Sequence, residues 1–125
     1  MYFAHDPNQN FYYLGEAPPT PCMYRECLLE ANPRIVSADV ETISLKERIA
    51  IGVGVAVSPK IAFYFPLFPE VSTATPWHLL KDPKISRLFH NASFDLLCLR
   101  EYEICNESAV DTNILGNLLN IDPPN

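Results

Sequence analysis

Between Arg34 and Leu67 three apolar runs follow one another with only short polar breaks. Nothing else in the chain restricts its fold as much. Ile35 to Thr42 reads as a strand, and Leu45-Lys46-Glu47 as a turn. Arg48 to Val57 sets β-branched Ile49, Ile51, Val53, Val55 and Val57 alternately with small Ala and Gly, which suits a strand packed closely by its neighbours. Ser58-Pro59-Lys60 turns the chain again, and Ile61 to Leu67 supplies a third strand. Three strands joined this tightly predict an antiparallel meander.

The first of these strands carries an unusual pair. Asp39 and Glu41 stand two residues apart near its end, and in a strand such residues point to one face. Two acids side by side at the end of an apolar strand are costly to desolvate and repel one another. A divalent cation removes that cost, because hard carboxylate oxygens suit Mg²⁺ or Mn²⁺. A third acid, Asp95, follows in the stretch Phe89-His90-Asn91-Ala92-Ser93-Phe94-Asp95.

Past the meander the pattern becomes helical. Thr75 to Lys81 predicts a helix, and Asp82-Pro83-Lys84 a loop. Ile85 to Phe89 predicts a short strand ending at His90, and Ala92 to Glu103 a helix that Asn91 or Ser93 could cap. Ser108-Ala109-Val110 predicts another short strand, with Asp111 capping a last helix, Thr112 to Leu119. The order βββ-α-β-α-β-α belongs to the α/β class, a mixed five-stranded sheet flanked by helices. Residues 1–33 read as an N-terminal extension, and 34–125 as the domain. The extension contains a short candidate strand at Phe11-Tyr12-Tyr13-Leu14-Gly15, a Pro-rich arm at Ala17 to Pro21, and a helix from Met23 to Ala31 stopped by Asn32-Pro33.

Composition narrows the function. The 125 residues suffice for one small domain with a core. No apolar run is long enough to span a bilayer, and the start lacks a secretory leader pattern, so a cytoplasmic, nucleoid-associated or virus-encoded protein is expected, without a membrane partner. The four cysteines form no CxxC pair. Reduced thiols outweigh a zinc site involving His5. A net charge of −6 argues against broad phosphate binding by a basic face. It leaves room for a nucleic acid that meets the acids through a metal.

Simpler roles compete for several residues. Asp39 and Glu41 alone could be exposed acids at a strand end, and Asp95 alone a first-turn acid favoured by the helix dipole. His90 reads as a satisfied strand-end histidine before a catalytic base. Gly52-Val53-Gly54 lies mid-strand without a following helix and is no phosphate loop. Phe11, Tyr12 and Tyr13 could stack on bases, with core or edge packing as the default.

Taken in order, Asp39-Val40-Glu41-Thr42, then His90-Asn91-x-x-Phe94-Asp95, then Asp111-Thr112 opening a Leu-rich helix resemble the 3′–5′ exonucleases of the DEDD superfamily. Within it the chain is most similar to the proofreading domain of family A DNA polymerases and to ribonuclease D, over roughly Ile35 to Asp122. The resemblance implies a ribonuclease H-like fold and a site holding two ions, Mg²⁺ or Mn²⁺. It makes Asp39, Glu41 and Asp95 the catalytic metal ligands: Asp39 bridging both ions, Glu41 holding one and orienting the attacking water, Asp95 serving the second. Thr42 and Leu45 match positions that touch the 3′-terminal nucleotide. Asn91 and Phe94 match positions along the single-strand path.

One part of the pattern is missing. The family's third motif, Tyr-x-x-x-Asp or His-x-x-x-Asp on a later helix, supplies a fourth carboxylate, and nothing after Asp95 matches it: Tyr102 is followed four residues on by Asn106, and Asp122 is preceded four residues back by Leu118. The resemblance therefore implies the N-terminal part of a domain truncated before that motif. The expected activity is removal of nucleotides from single-stranded 3′ ends, DNA before RNA, with a polymerase domain in the same polypeptide as a possible companion. The alternatives are an RNA-trimming enzyme of the ribonuclease D type and an inactive nucleic-acid-binding module.

Overall fold

The computed structural model describes residues 1–31, 33–44, 46, 49–89, 95, 98 and 109–111. Strands β1 (Tyr2–Asp6) and β2 (Phe11–Gly15) come first, then helix α1 (Met23–Ala31). The meander follows as β3 (Ile35–Thr42), β4 (Ala50–Ser58) and β5 (Ile61–Pro66). Helix α2 (Trp77–Leu80), β6 (Ser86–Phe89) and β7 (Ala109–Asp111) complete the described elements. All seven strands form one sheet in the order β1-β2-β5-β4-β3-β6-β7.

The five expected strands take their expected places, β3 to β5 antiparallel and β6 and β7 parallel to β3. The sheet is nevertheless seven-stranded. The N-terminal residues form a hairpin, and β2 pairs antiparallel with β5, so the hairpin extends the meander's free edge. Its turn is locally determined. Asp6 Oδ1 accepts from the backbone N–H groups of Asn8 and Gln9, and Asn10 takes the positive φ of 57° that asparagine tolerates. The hairpin is also tied to the segment after β5: Thr73 N–H and the Ser72 hydroxyl both donate to Gln9 O.

Alternation along the strands puts the core on one face. In β3, Val36, Ala38 and Val40 are buried, and their partners across β4 and β5 are Val53, Val55, Val57, Phe63 and Phe65. Phe11 and Tyr13 of β2 join the same core, so packing claims two of the three N-terminal aromatics considered for base stacking. Tyr24 of α1 stands edge-on to Phe63 and Phe65 at 5.1 and 5.3 Å. Its hydroxyl donates to Thr75 O at 2.7 Å, which ties α1 to the segment entering α2.

Two expected boundaries move. The helix expected over Thr75 to Lys81 is only Trp77–Leu80, because it starts at Pro76, whose carbonyl accepts from Leu79 and Leu80. The strand expected over Ser108-Ala109-Val110 is Ala109–Asp111, with Asp111 in register with Phe89. The helix expected from Thr112 lies outside the described residues.

Candidate active site

The site begins at the place where the sheet changes character. β3 pairs antiparallel with β4 on one side and parallel with β6 on the other. The C-terminal ends of the parallel strands β3, β6 and β7 therefore share one edge of the sheet. In α/β folds ligands gather outside those ends. Asp39 and Glu41 occupy the C-terminal half of β3, and the chain that leaves β6 at the same edge leads to Asp95.

Asp39 and Glu41 point to the same face, as their spacing requires, and both are exposed. β3 was expected to be buried, and only its Val36-Ala38-Val40 face is. Opposite the acids β4 offers almost no side chain: Asp39 pairs with Gly54 and Glu41 with Gly52. Asp39 is thus left open on that side, over Gly54.

Gly52 has a further reason to be glycine. A Cβ there would collide with the ring and hydroxyl of Tyr64, which lies across it from β5. Tyr64 is consequently a neighbour of Glu41. Burial first, then the negative charge of Glu41, then Tyr12 hold its phenol above the ordinary tyrosine value. A neutral phenol beside a carboxylate is a hydrogen-bond donor in reserve. Tyr64 was absent from the sequence-based candidates. The run of small residues in β4 hinted at a bulky neighbour lying over it without saying which.

Asp95 sits differently. Its backbone is helical and its side chain is buried, 4% exposed. Cys98, one turn later, joins the hydrophobic core. Among the described residues no three His, Cys, Asp or Glu side chains gather closely enough to hold a metal ion. Asp39, Glu41 and Asp95 thus form no three-ligand cluster among the described residues: the first two are exposed on one sheet face, and Asp95 is buried. Thr42 is half-buried at the end of β3, where the register with β4 shifts. Leu45, His90, Asn91 and Phe94 lie outside the described residues.

Comparison with known proteins decides the family. A family model described as 3′–5′ exonuclease matches residues 25–123, a span that includes Asp39, Glu41 and Asp95. The chain belongs to the 3′–5′ exonuclease family. Solved structures agree on the fold. NrnC of Brucella melitensis is 24% identical, with a TM-score of 0.61 over 73% of this chain and 46% of its own. NrnC of Brucella melitensis bound to pGG is 21% identical, with a TM-score of 0.64 over 78% of this chain and 51% of its own. RNase D of Trypanosoma brucei is 21% identical, with a TM-score of 0.52 over 70% of this chain and 34% of its own. The fold of this 3′–5′ exonuclease chain is ribonuclease H-like, and the chain spans about half the length of its NrnC neighbours or less. No curated protein compared with it is similar enough in sequence to count as a relative.

Proposed function

We propose that the chain is the acidic half of a metal-dependent 3′–5′ exonuclease site that removes nucleotides from single-stranded DNA ends. The observation that carries this reading is the placement of Asp39 and Glu41. They stand on one open face, at the sheet edge where the parallel strands end, inside the span matched by the exonuclease family.

Exonuclease domains of this family generally work with divalent metals. The donor set fits such ions: Asp39 and Glu41 offer exposed carboxylate oxygens from one face, which suit Mg²⁺ or Mn²⁺. Asp39 and Glu41 would hold the metal, which when bound would supply an activated water and offset charge on the scissile phosphate. The chain's own contribution is orientation. β3 fixes the two carboxylates side by side, Gly54 leaves the space beside Asp39 open, and Tyr64, lying over Gly52, presents a neutral hydroxyl next to Glu41. Thr42, Leu45, Asn91 and Phe94 would line the path of the terminal nucleotides.

A second reading, RNA trimming, is favoured by one observation. The neighbours of similar fold include an RNase D from Trypanosoma brucei solved in complex with RNA U12. Matched single-stranded DNA and RNA oligonucleotides, each labelled at the 5′ end and offered to the complete protein with Mg²⁺ or Mn²⁺, separate the two. The DNA reading expects the DNA to shorten stepwise from its 3′ end and faster than the RNA. Preferential shortening of the RNA selects the ribonuclease D type. Failure to shorten either leaves only a binding module.

A further inference from the structure

The sheet face that carries Asp39 and Glu41 continues past Tyr64 into an aromatic groove. Register fixes the geometry. Asp39 pairs with Gly54, Gly54 with Tyr64, Tyr64 with Tyr12, and Tyr12 with His5. Directly paired residues share a face, so one row of side chains crosses five strands from a carboxylate to three rings. Strands lie about 4.8 Å apart, which places the backbone of Tyr64 roughly 10 Å from that of Asp39, and that of Tyr12 roughly 15 Å away.

The rings are arranged as a platform. Phe3 and His5 both stack on Tyr12, with centroids 5.9 and 4.5 Å away and interplanar angles of 27° and 28°. Tyr64 follows Tyr12 at 6.2 Å. Phe3, Tyr12, Tyr64, Pro66 and Phe68 line a groove of about 540 Å³. Phe3 is 70% and Phe68 61% exposed, an unusual cost for a hydrophobic surface with no role. The groove is also held in shape. Asn10 Oδ1 accepts from His5 Nε2–H, and Asn10 Nδ2 donates to Glu70 O; the hairpin tip is tied to Ser72 and Thr73.

We propose that this groove binds the bases of a single-stranded nucleic acid by stacking, leading the strand to the Asp39–Glu41 carboxylates. The proposal rests on the exonuclease reading for its direction, since it places the 3′ end at the acids and the preceding bases on Tyr64, Tyr12 and Phe3. Two features select bases as the occupant. The platform is continuous with the carboxylates through Tyr64, so a strand cut at the acids passes over it. Among the described residues the groove's one charged lining residue is Glu70, with no lysine or arginine beside it, so recognition falls to ring faces rather than phosphates. Every base has such a face, and binding should tolerate sequence.

The test uses the complete protein in chelator, which prevents cleavage, with fluorescent oligothymidylate and an abasic strand of equal length. Stacking on one aromatic side chain is worth about 1–3 kcal/mol per base, or about five-fold and upward in affinity. Phe3→Ala and Tyr12→Ala are each expected to weaken oligothymidylate binding by about five-fold or more, to leave abasic binding nearly unchanged, and to change the salt dependence little. Tyr12→Phe should retain affinity. Phe3 is so exposed that its removal should leave melting unaffected, which keeps the test independent of folding. Parental oligothymidylate affinity in both alanine variants overturns the proposal. So does a dimer that Phe3→Ala dissociates without altering oligonucleotide affinity, because the groove would then belong to a second copy. Asp39→Ala, assayed with metal, separates the two claims: parental cleavage defeats the exonuclease reading, while base binding in chelator is judged by the ring variants alone.

Discussion

Tyr64 lies across the Cα of Gly52, beside Glu41, which stands opposite Gly52 on the neighbouring strand. A methyl group at residue 52 has to displace the ring. Gly52→Ala is therefore expected to destabilise the protein by about 1–3 kcal/mol, the usual cost of forcing an extra group into a packed position. Thermal unfolding measures it. The same substitution should move Tyr64 from Glu41, so tyrosinate absorbance should show one phenol titrating lower than in the parent. Glu41→Gln should lower that phenol as well, though only in part, because burial is the larger cause of its shift.

Much of this was legible beforehand, for reasons that differ by segment. The meander was legible because period-two alternation from Ile35 to Pro66 is a strand signal written in side chains. Helix α1 was legible because Asn32-Pro33 marks its end. The pairing of β2 with β5 was not, since the register between distant strands is set by burying Phe11 and Tyr13 against Phe63, a contact that no local pattern announces. Asp39 and Glu41 stood out by their two-residue spacing, and Asp95 joined them through the ordered motifs that resemble the exonucleases. Tyr64 was missed because its place beside Glu41 depends on Gly52 lying between them, a relation across three strands.

Alkaline pH should weaken the fold through Tyr24. Burial pushes its phenol well above the ordinary tyrosine value, and its hydroxyl donates to Thr75 O. The unfolded chain ionises this group near pH 10, before the folded one does. The contribution is thus fully present below pH 10 and is lost as pH rises towards the folded value. Tyr24→Phe should cost about 0.5–1.5 kcal/mol at neutral pH, the worth of one hydrogen bond. It should also flatten the fall in stability above pH 10, as read from denaturant midpoints at a series of pH values.

Asp95 and Asp39 should respond differently to the same change. Asp95 is enclosed on its helix, so Asp95→Ala is expected to cost about 1–3 kcal/mol as the groups around it lose a buried polar partner. Asp39 is exposed, and Asp39→Ala should stay within about 0.5 kcal/mol of the parent. Parallel denaturant titrations compare the two. Equal, small effects would place Asp95 on the surface and contradict its burial.

The 125-residue chain by itself is expected to degrade single-stranded oligonucleotides weakly or not at all, since no Tyr-x-x-x-Asp or His-x-x-x-Asp follows Asp95 in it. Vigorous, metal-dependent digestion by this chain, abolished by Asp39→Ala, would show that the third motif is dispensable.

The central claim is that Asp39 serves catalysis rather than folding. Its most direct test pairs two readings on Asp39→Ala in the complete protein: the metal-free melting temperature, and the rate of shortening of a 5′-labelled single strand from its 3′ end with Mg²⁺ or Mn²⁺ present. Removing one of two adjacent acids relieves repulsion with Glu41 and removes a metal ligand at the same time. The account predicts an unchanged or slightly raised melting temperature together with loss of cleavage. Shortening at the parental rate would contradict it.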